Sequence, residues 1–251
     1  MTISDTRLAI AAGMTSGEVL PEASYCEAVE DAPWMLRLQF DDFQQTSGTV
    51  SGHARNSGIV FSGSVKDYNA AIPCFTGNSV VATRTGLTRV ADLRQGDLVL
   101  TRDNGLQPLR WIGTRRFGWR ALGLNPMLRA VRICAGALGA GMPARDMIVS
   151  PNHRFLIVSD GDERLLPAYG LLGRAGVSRV NASDVCYYQL MCEAHELVMV
   201  DECWSESYRA TVAGLSALDG SARDQLTQIL PDLSSGKDGF APVRADVPIA
   251  L

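Results

Sequence analysis

Three short runs carry the side chains in this chain that could do nucleophilic and acid–base chemistry. Cys74 stands in Ile72-Pro73-Cys74-Phe75-Thr76-Gly77-Asn78-Ser79-Val80-Val81-Ala82-Thr83, where a cysteine opens a strand-like segment. Downstream come Ser150-Pro151-Asn152-His153 and then His195-Glu196-Leu197-Val198. A thiol attacks as the thiolate, and with an ordinary pKa of about 8.5 little of it is ionised at neutrality, so a base or positive group must assist. Histidine, at about 6.5, can donate or accept a proton near neutral pH. Residue type and position alone leave each assignment open. Cys74 reads equally as a nucleophile or a buried structural cysteine, and Ser150–His153 also as a turn followed by a surface histidine. His195 reads also as a satisfied core histidine, and Asp146, just upstream of Ser150, as a strand-end structural carboxylate.

The remaining candidates are few. The other cysteines, Cys26, Cys134, Cys186, Cys192 and Cys203, form no C-x-x-C pair, which gives no support to a zinc ribbon or a thioredoxin-type motif. They read mostly as small core hydrophobes in a reducing compartment. His53, His153 and His195 are the only histidines, too few for a histidine-rich metal site, so neither metal nor cofactor is expected.

The elements around these residues belong to a chain of 251 residues, long enough to bury a core, with 46% hydrophobic and 20% charged residues. A net charge of -4 argues against nucleic acid or an anionic membrane as the main partner. Arg110, Arg115, Arg116 and Arg120 do cluster, but Trp111, Phe117 and Trp119 interleave with them, as in a half-buried strand with snorkelling arginines. No apolar run approaches the roughly 18 residues of a membrane-spanning helix, so no membrane insertion is expected. The N-terminus lacks the pattern of a cleaved signal, which predicts a cytoplasmic protein or one secreted without a signal peptide.

Three zones follow one another. Residues 1–71 form a small, partly β region with strand-like runs at Trp34–Phe40 and Gly58–Val65, and Thr46–Gly52 between them reads as a loop. Residues 72–210 read as nearly all β: short apolar or β-branched runs such as Ser79–Thr83, Leu98–Thr101, Leu109–Gly113, Val185–Met191 and Leu197–Val200 are separated by turn signals at Asp103-Asn104-Gly105 and Asp160-Gly161-Asp162. Arg89–Val99 and Leu165–Val177 echo each other weakly, each a strand meeting a short helical turn closed by glycine. In residues 211–251, Leu218–Leu230 has helical spacing and Pro231 closes it; Ser234–Gly239 reads as a tail.

The ordered set Cys74-Phe75-Thr76, Asp103–Pro108, Arg110-Trp111-Ile112-Gly113 and Ser150-Pro151-x-His153 resembles the bacterial Hint domain, the module shared by hedgehog C-terminal domains and inteins. The resemblance spans roughly residues 72–232. It implies a mainly β fold, a pseudo-symmetric all-β domain with a short C-terminal helix and a small N-terminal region. It also implies autocatalytic cleavage of the Pro73–Cys74 bond by an N–S acyl shift. Cys74 would be the nucleophile, and the His153 imidazole would lie against the scissile amide and protonate its nitrogen. Ser150 would orient the peptide, His195 would relay a proton or hold the cysteine loop, and Asp146 could activate an attacking group. The substrate implied is the chain's own N-terminal segment, with water or a thiol as acyl acceptor.

The departures from the pattern limit this reading. Inteins end in His-Asn, whereas the comparable region here is Cys203-Trp204-Ser205-Glu206-Ser207-Tyr208, so cleavage at one junction is expected rather than full splicing. Pro73 replaces the glycine of hedgehog proteins; it holds the junction extended but slows acyl transfer. The C-terminal segment is no long apolar sterol-recognition region. Two alternatives stand beside self-cleavage: a non-catalytic interaction or scaffold module of the same fold, and a Cys-His hydrolase acting in trans. The last ordinarily sets its cysteine at a helix N-terminus, not before a strand.

Overall fold

Alternating or β-branched apolar runs flanked by turns dominate the chain, and they emerge as strands. The computed structural model describes residues 22–25, 34–40, 48–54, 58–64, 73–124, 128–159, 161–216 and 218–247. In chain order the strands are β1 (Glu22–Tyr25), β2 (Trp34–Phe40), β3 (Gly48–Ala54), β4 (Gly58–Ser64), β5 (Phe75–Thr76), β6 (Val80–Thr83) and β7 (Gly86–Arg89). There follow β8 (Leu98–Thr101), β9 (Gly105–Pro108), β10 (Trp111–Gly118), β11 (Val131–Ile133), β12 (Met147–Val149) and β13 (Arg154–Ser159). The last are β14 (Asp162–Pro167), β15 (Val177–Arg179), β16 (Asp184–Met191), β17 (Leu197–Val200), β18 (Cys203–Glu206) and β19 (Ala245–Asp246). Helices are short: α1 (Trp119–Leu124), α2 (Val212–Ser216) and α3 (Gly220–Ile229). The fold is mainly β, as expected.

The strands make three sheets, in the orders β1-β2-β3-β4, β10-β16-β5-β12-β11-β15 and β19-β14-β13-β18-β17-β6-β8-β9, with β7 on β6. The first corrects one expectation. Within the run read as a loop, Gly48–Gly52 belongs to β3, an inner strand paired to β2 and β4. Its Gly/Ser/Thr composition lacks an apolar pattern, but ladder bonds come from the backbone and two partners supply them. Thr46, Ser47 and Val65 lie outside the described residues, as does Cys26.

Residue 75 belongs to a core with Val81, Val99, Val149, Phe155, Leu166, Val198 and Val200. Residue 74 belongs to another, with Trp111, Tyr187, Met191, Tyr208, Leu218 and Leu226. Successive side chains of an extended segment point to opposite sides, so the entry to β5 feeds both cores. The internal echo has a structural counterpart in single 3-10 turns at Val90–Asp92 and Ala168–Leu171. At the β8–β9 turn Gly105 has φ 63, a left-handed backbone that glycine takes without a Cβ clash.

The predicted C-terminal helix is α3, capped by Asp219, which accepts from the Ala222 N–H at 2.9 Å. Pro231 then opens a 3-10 turn. The segment read as a tail is instead tied down: the Gly239 N–H donates to the Ala210 carbonyl at 3.0 Å, and the Val212 N–H donates to Asp238 at 2.9 Å. Beyond it β19 pairs parallel to β14, and Arg244 bridges Asp103 and Glu163 at 2.8 Å each. These contacts reach residues far away in sequence, which no local pattern at 234–247 reveals.

Candidate functional site

The site is built where β5 is inserted between β12 and β16. Phe75 pairs with Val149 on one side and Tyr188 on the other. Continuing both antiparallel registers by one residue puts Ser150 and Gln189 on either side of Cys74. Gln189 is itself paired with Gly113 of β10. A row Gly113, Gln189, Cys74, Ser150 therefore crosses the sheet, and residues directly opposite on neighbouring strands share a face. The Cys74 N–H, which belongs to the Pro73–Cys74 amide, donates to Ser150 Oγ at 2.9 Å. The Ser150 N–H donates back to the Cys74 carbonyl at 3.0 Å.

The thiol end of this row is dry, with Cys74 3% exposed. Burial pushes its pKa up to about 12, against which Gln189, Arg115 and Ser150 favour the thiolate, while Glu206 opposes it. Cys74 leads into a strand, not a helix, and so lacks the helix N-terminus of a trans-acting cysteine hydrolase.

His153 is fully buried, and its ring lies 4.2 Å from that of Phe75 and 5.3 Å from that of Phe155. Neither ring nitrogen has a hydrogen-bond partner. In the resting state it is thus the Ser150 hydroxyl, and not the imidazole, that holds the Cys74 N–H. Burial, with the adjacent Arg154 charge, pushes the imidazole down to about 3, so the ring is neutral.

His195 is buried 42 residues further on, and its Nδ1 accepts from the Val243 N–H at 3.1 Å. Its Nε2 sits 3.4 Å from Glu206 Oε2 without closing a hydrogen bond. Glu206 Oε1 accepts from the Arg154 N–H at 3.0 Å and from its guanidinium at 3.1 Å. The same buried carboxylate thus binds the residue after His153 and lies beside His195. Asp146 precedes β12, at the end away from Ser150. There Arg132 grips its carboxylate and the Ala135 N–H donates to it at 2.9 Å; the Arg132 hydrogen bond holds it below the usual carboxylate range.

Sequence reasoning passed over Gln189, Arg154 and Glu206, and took Gly113 only as part of a matched block. A weak signal existed for two of them: Gln189 is the lone amide in Tyr187-Tyr188-Gln189-Leu190-Met191, and Glu206 is a carboxylate inside a strand-like run. Among the described residues no group of three or more His, Cys, Asp or Glu could hold a metal ion. No helix there is long and apolar enough to cross a membrane.

The neutral His153 makes a pH prediction. Its folded pKa lies below the unfolded value of about 6.5, so the unfolded chain takes up the proton first. Its contribution is full above that value and is lost as pH falls toward 3. Asp201 acts in the opposite sense: burial pushes it up to about 6, so its protonation adds stability as pH falls through that value. The wild-type curve alone is therefore flattened. Comparison with His153→Leu isolates the histidine: the stability of wild type relative to the variant should fall by about 1.4 kcal/mol per pH unit between 6.5 and 4.5. Urea unfolding across that range measures it, and a constant difference would show that the ring is not held neutral.

The family model of the Hint domain matches residues 73–212. Among solved structures, the gp41-1 intein shares 12% identity, covering 53% of this chain and 97% of its own with a TM-score of 0.33. The bacterial intein-like domain from Clostridium thermocellum shares 14%, covering 53% and 97% with a TM-score of 0.37. A DnaB intein from Synechocystis sp. PCC 6803 shares 12%, covering 54% and 98% with a TM-score of 0.35. No curated protein matches the chain.

Proposed function

The chain belongs to the Hint-domain family, and on that premise we propose that it cleaves its own backbone at Pro73–Cys74 by an N–S acyl shift, without full splicing. The observation that carries this reading is the bond from the Cys74 N–H to Ser150 Oγ, 2.9 Å, beside a thiol one residue from the Pro73 carbonyl. Sulfur attacks the Pro73 carbonyl carbon, so an S–C bond forms through a five-membered ring. The C–N bond to Cys74 then breaks. The thiol proton is lost and one proton is gained by the departing nitrogen, so peptide and thiol become thioester and amine with no change of oxidation state. An amide anion cannot leave, which is why the nitrogen needs an acid. Ser150 fixes the direction of that nitrogen, and His153, one turn away, is the acid. Water or a thiol next attacks the acyl carbon, the C–S bond breaks, and the Cys74 thiol is restored.

In this reading the segment released is residues 1–73, the small N-terminal region 1–71 with the junction residues Ile72 and Pro73. The rest of the 72–210 domain is the processing domain, and 211–251 is the C-terminal helix and tail, from which the Val243 N–H reaches His195. His195, held by the Val243 N–H with Glu206 beside it, relays a proton or holds the cysteine loop. Asp146, engaged by Arg132, supports the strand that presents Ser150. The absence of His-Asn at Cys203–Tyr208 leaves the second junction uncut. One observation favours a second reading, a non-catalytic scaffold: at rest the thiol is protonated and the imidazole neutral, so neither is charged for its task.

Hydroxylamine separates the two. It traps a thioester as a hydroxamate, so the expected products are an N-terminal piece bearing the hydroxamate on Pro73 and a C-terminal piece beginning at Cys74. An unchanged intact mass after prolonged exposure of folded protein would establish the scaffold reading.

A further inference from the structure

Cys74 has two neighbours across the sheet, and the mechanism so far uses one. On the β16 side stands Gln189, 1% exposed, whose Nε2 has no hydrogen-bond partner. A buried amide N–H without an acceptor costs free energy, on the order of 1–3 kcal/mol, unless a group it serves is absent from the resting state. Its cross-strand position on the thiol side of the sheet says which group that is.

Gly113 explains how the amide is seated. A Cβ built there would fall 2.2 Å from Gln189 Oε1 and 2.1 Å from the Trp111 ring. Any side chain at 113 would take the space that the glutamine carbonyl end occupies. With Oε1 over Gly113, on the side of the row away from Cys74, the amide is held by its far end and its NH2 is left to the thiol.

The other charged and titratable groups near the thiol do not replace it. Arg115 favours the thiolate as a charge, Glu206 opposes it, and Tyr187 and Tyr208 lie close by with phenols whose pKa burial pushes up. The Tyr187 hydroxyl is already committed to the Leu128 carbonyl at 2.8 Å. Ser150 Oγ is accepting from the Cys74 N–H.

We propose that Gln189 is a further catalytic residue: its Nε2–H donates to the Cys74 sulfur as the thiol loses its proton, and Gly113 provides the space that seats the amide. Its bearing on rate rests on the self-cleavage reading; its effect on the thiol does not. The donor forms one hydrogen bond to a sulfur carrying the negative charge and releases it when the S–C bond has formed. It neither gives up nor takes a proton, so the step's balance is unchanged.

The test uses the full chain and Gln189→Met, which keeps length and volume and deletes the donor. Iodoacetamide reacts with the thiolate, and peptide-level mass spectrometry reads Cys74 alongside Cys192, a buried free cysteine of the other core that reports general opening. The expected result is Cys74 alkylation slowed about 10-fold with Cys192 unchanged, and thioester formation slowed about 10–100-fold. The Tm should be unchanged or higher, because an unpartnered buried amide has been removed. Unchanged Cys74 alkylation would overturn the proposal, as would equal changes at both cysteines. A lost fold or a markedly lowered Tm would do the same, because the amide would then be holding the sheet together. If the wild type forms no thioester while Gln189→Met still slows alkylation, the donor role stands and the self-cleavage reading falls.

Discussion

Dithiothreitol should split the folded wild-type protein into pieces of about 8 and about 19 kDa, in proportion to the residues on either side of Cys74, and Cys74→Ala should abolish the cleavage. The loss is complete because only a nucleophile on the residue after the scissile carbonyl closes a five-membered ring. The alanine variant keeps the backbone bonds to Ser150, so the fold survives and only the attack is removed. The buried thiol adds a second signature. With its pKa pushed up to about 12, the thiolate fraction grows about tenfold per pH unit between 7 and 9, and the onset of cleavage should follow it. Cleavage that persists in Cys74→Ala, or fragments that begin elsewhere, would remove Cys74 from the mechanism.

His153→Ala should lower the rate of cleavage by roughly 10²–10⁴, the range lost with a positioned acid–base group. The ring touches Phe75, next to the nucleophile, and its nitrogens have no partner in the resting state. An imidazole left neutral and unpartnered in a dry core has both sites available for a proton in transit. Removing it also opens a cavity between Phe75 and Phe155, so circular dichroism and Tm must accompany the rate. Ser150→Ala should cost less, since a hydroxyl that orients the amide is partly replaceable by water. If His195→Ala proved more damaging than His153→Ala with the fold intact, the main acid would be His195.

Most strands were legible because their signal is local. Leu98–Thr101 and Leu197–Val200 are short apolar runs between turns, and both form strands of that extent. Leu218–Leu230 showed its helix through apolar spacing and a closing proline, and α3 lies inside it. Gly48–Gly52 was misread because its composition suits a turn, and only partners on both sides make it a strand. The short strands β5 and β19 carry no pattern of their own; they exist because a longer neighbour offers them hydrogen bonds.

The sequence by itself determined the order of the candidate groups, Cys74 before Ser150 and His153 before His195, together with the mainly β class. Tertiary structure alone decided that Ser150 takes the Cys74 N–H, that His153 rests on Phe75, and that Gln189 stands opposite the thiol over a glycine. The physical reason lies in the period of a strand. Alternation tells which residues of one strand share a face, but not which strand lies alongside or in what register. Residues 113, 189, 74 and 150 become neighbours only when packing of the two cores sets those registers.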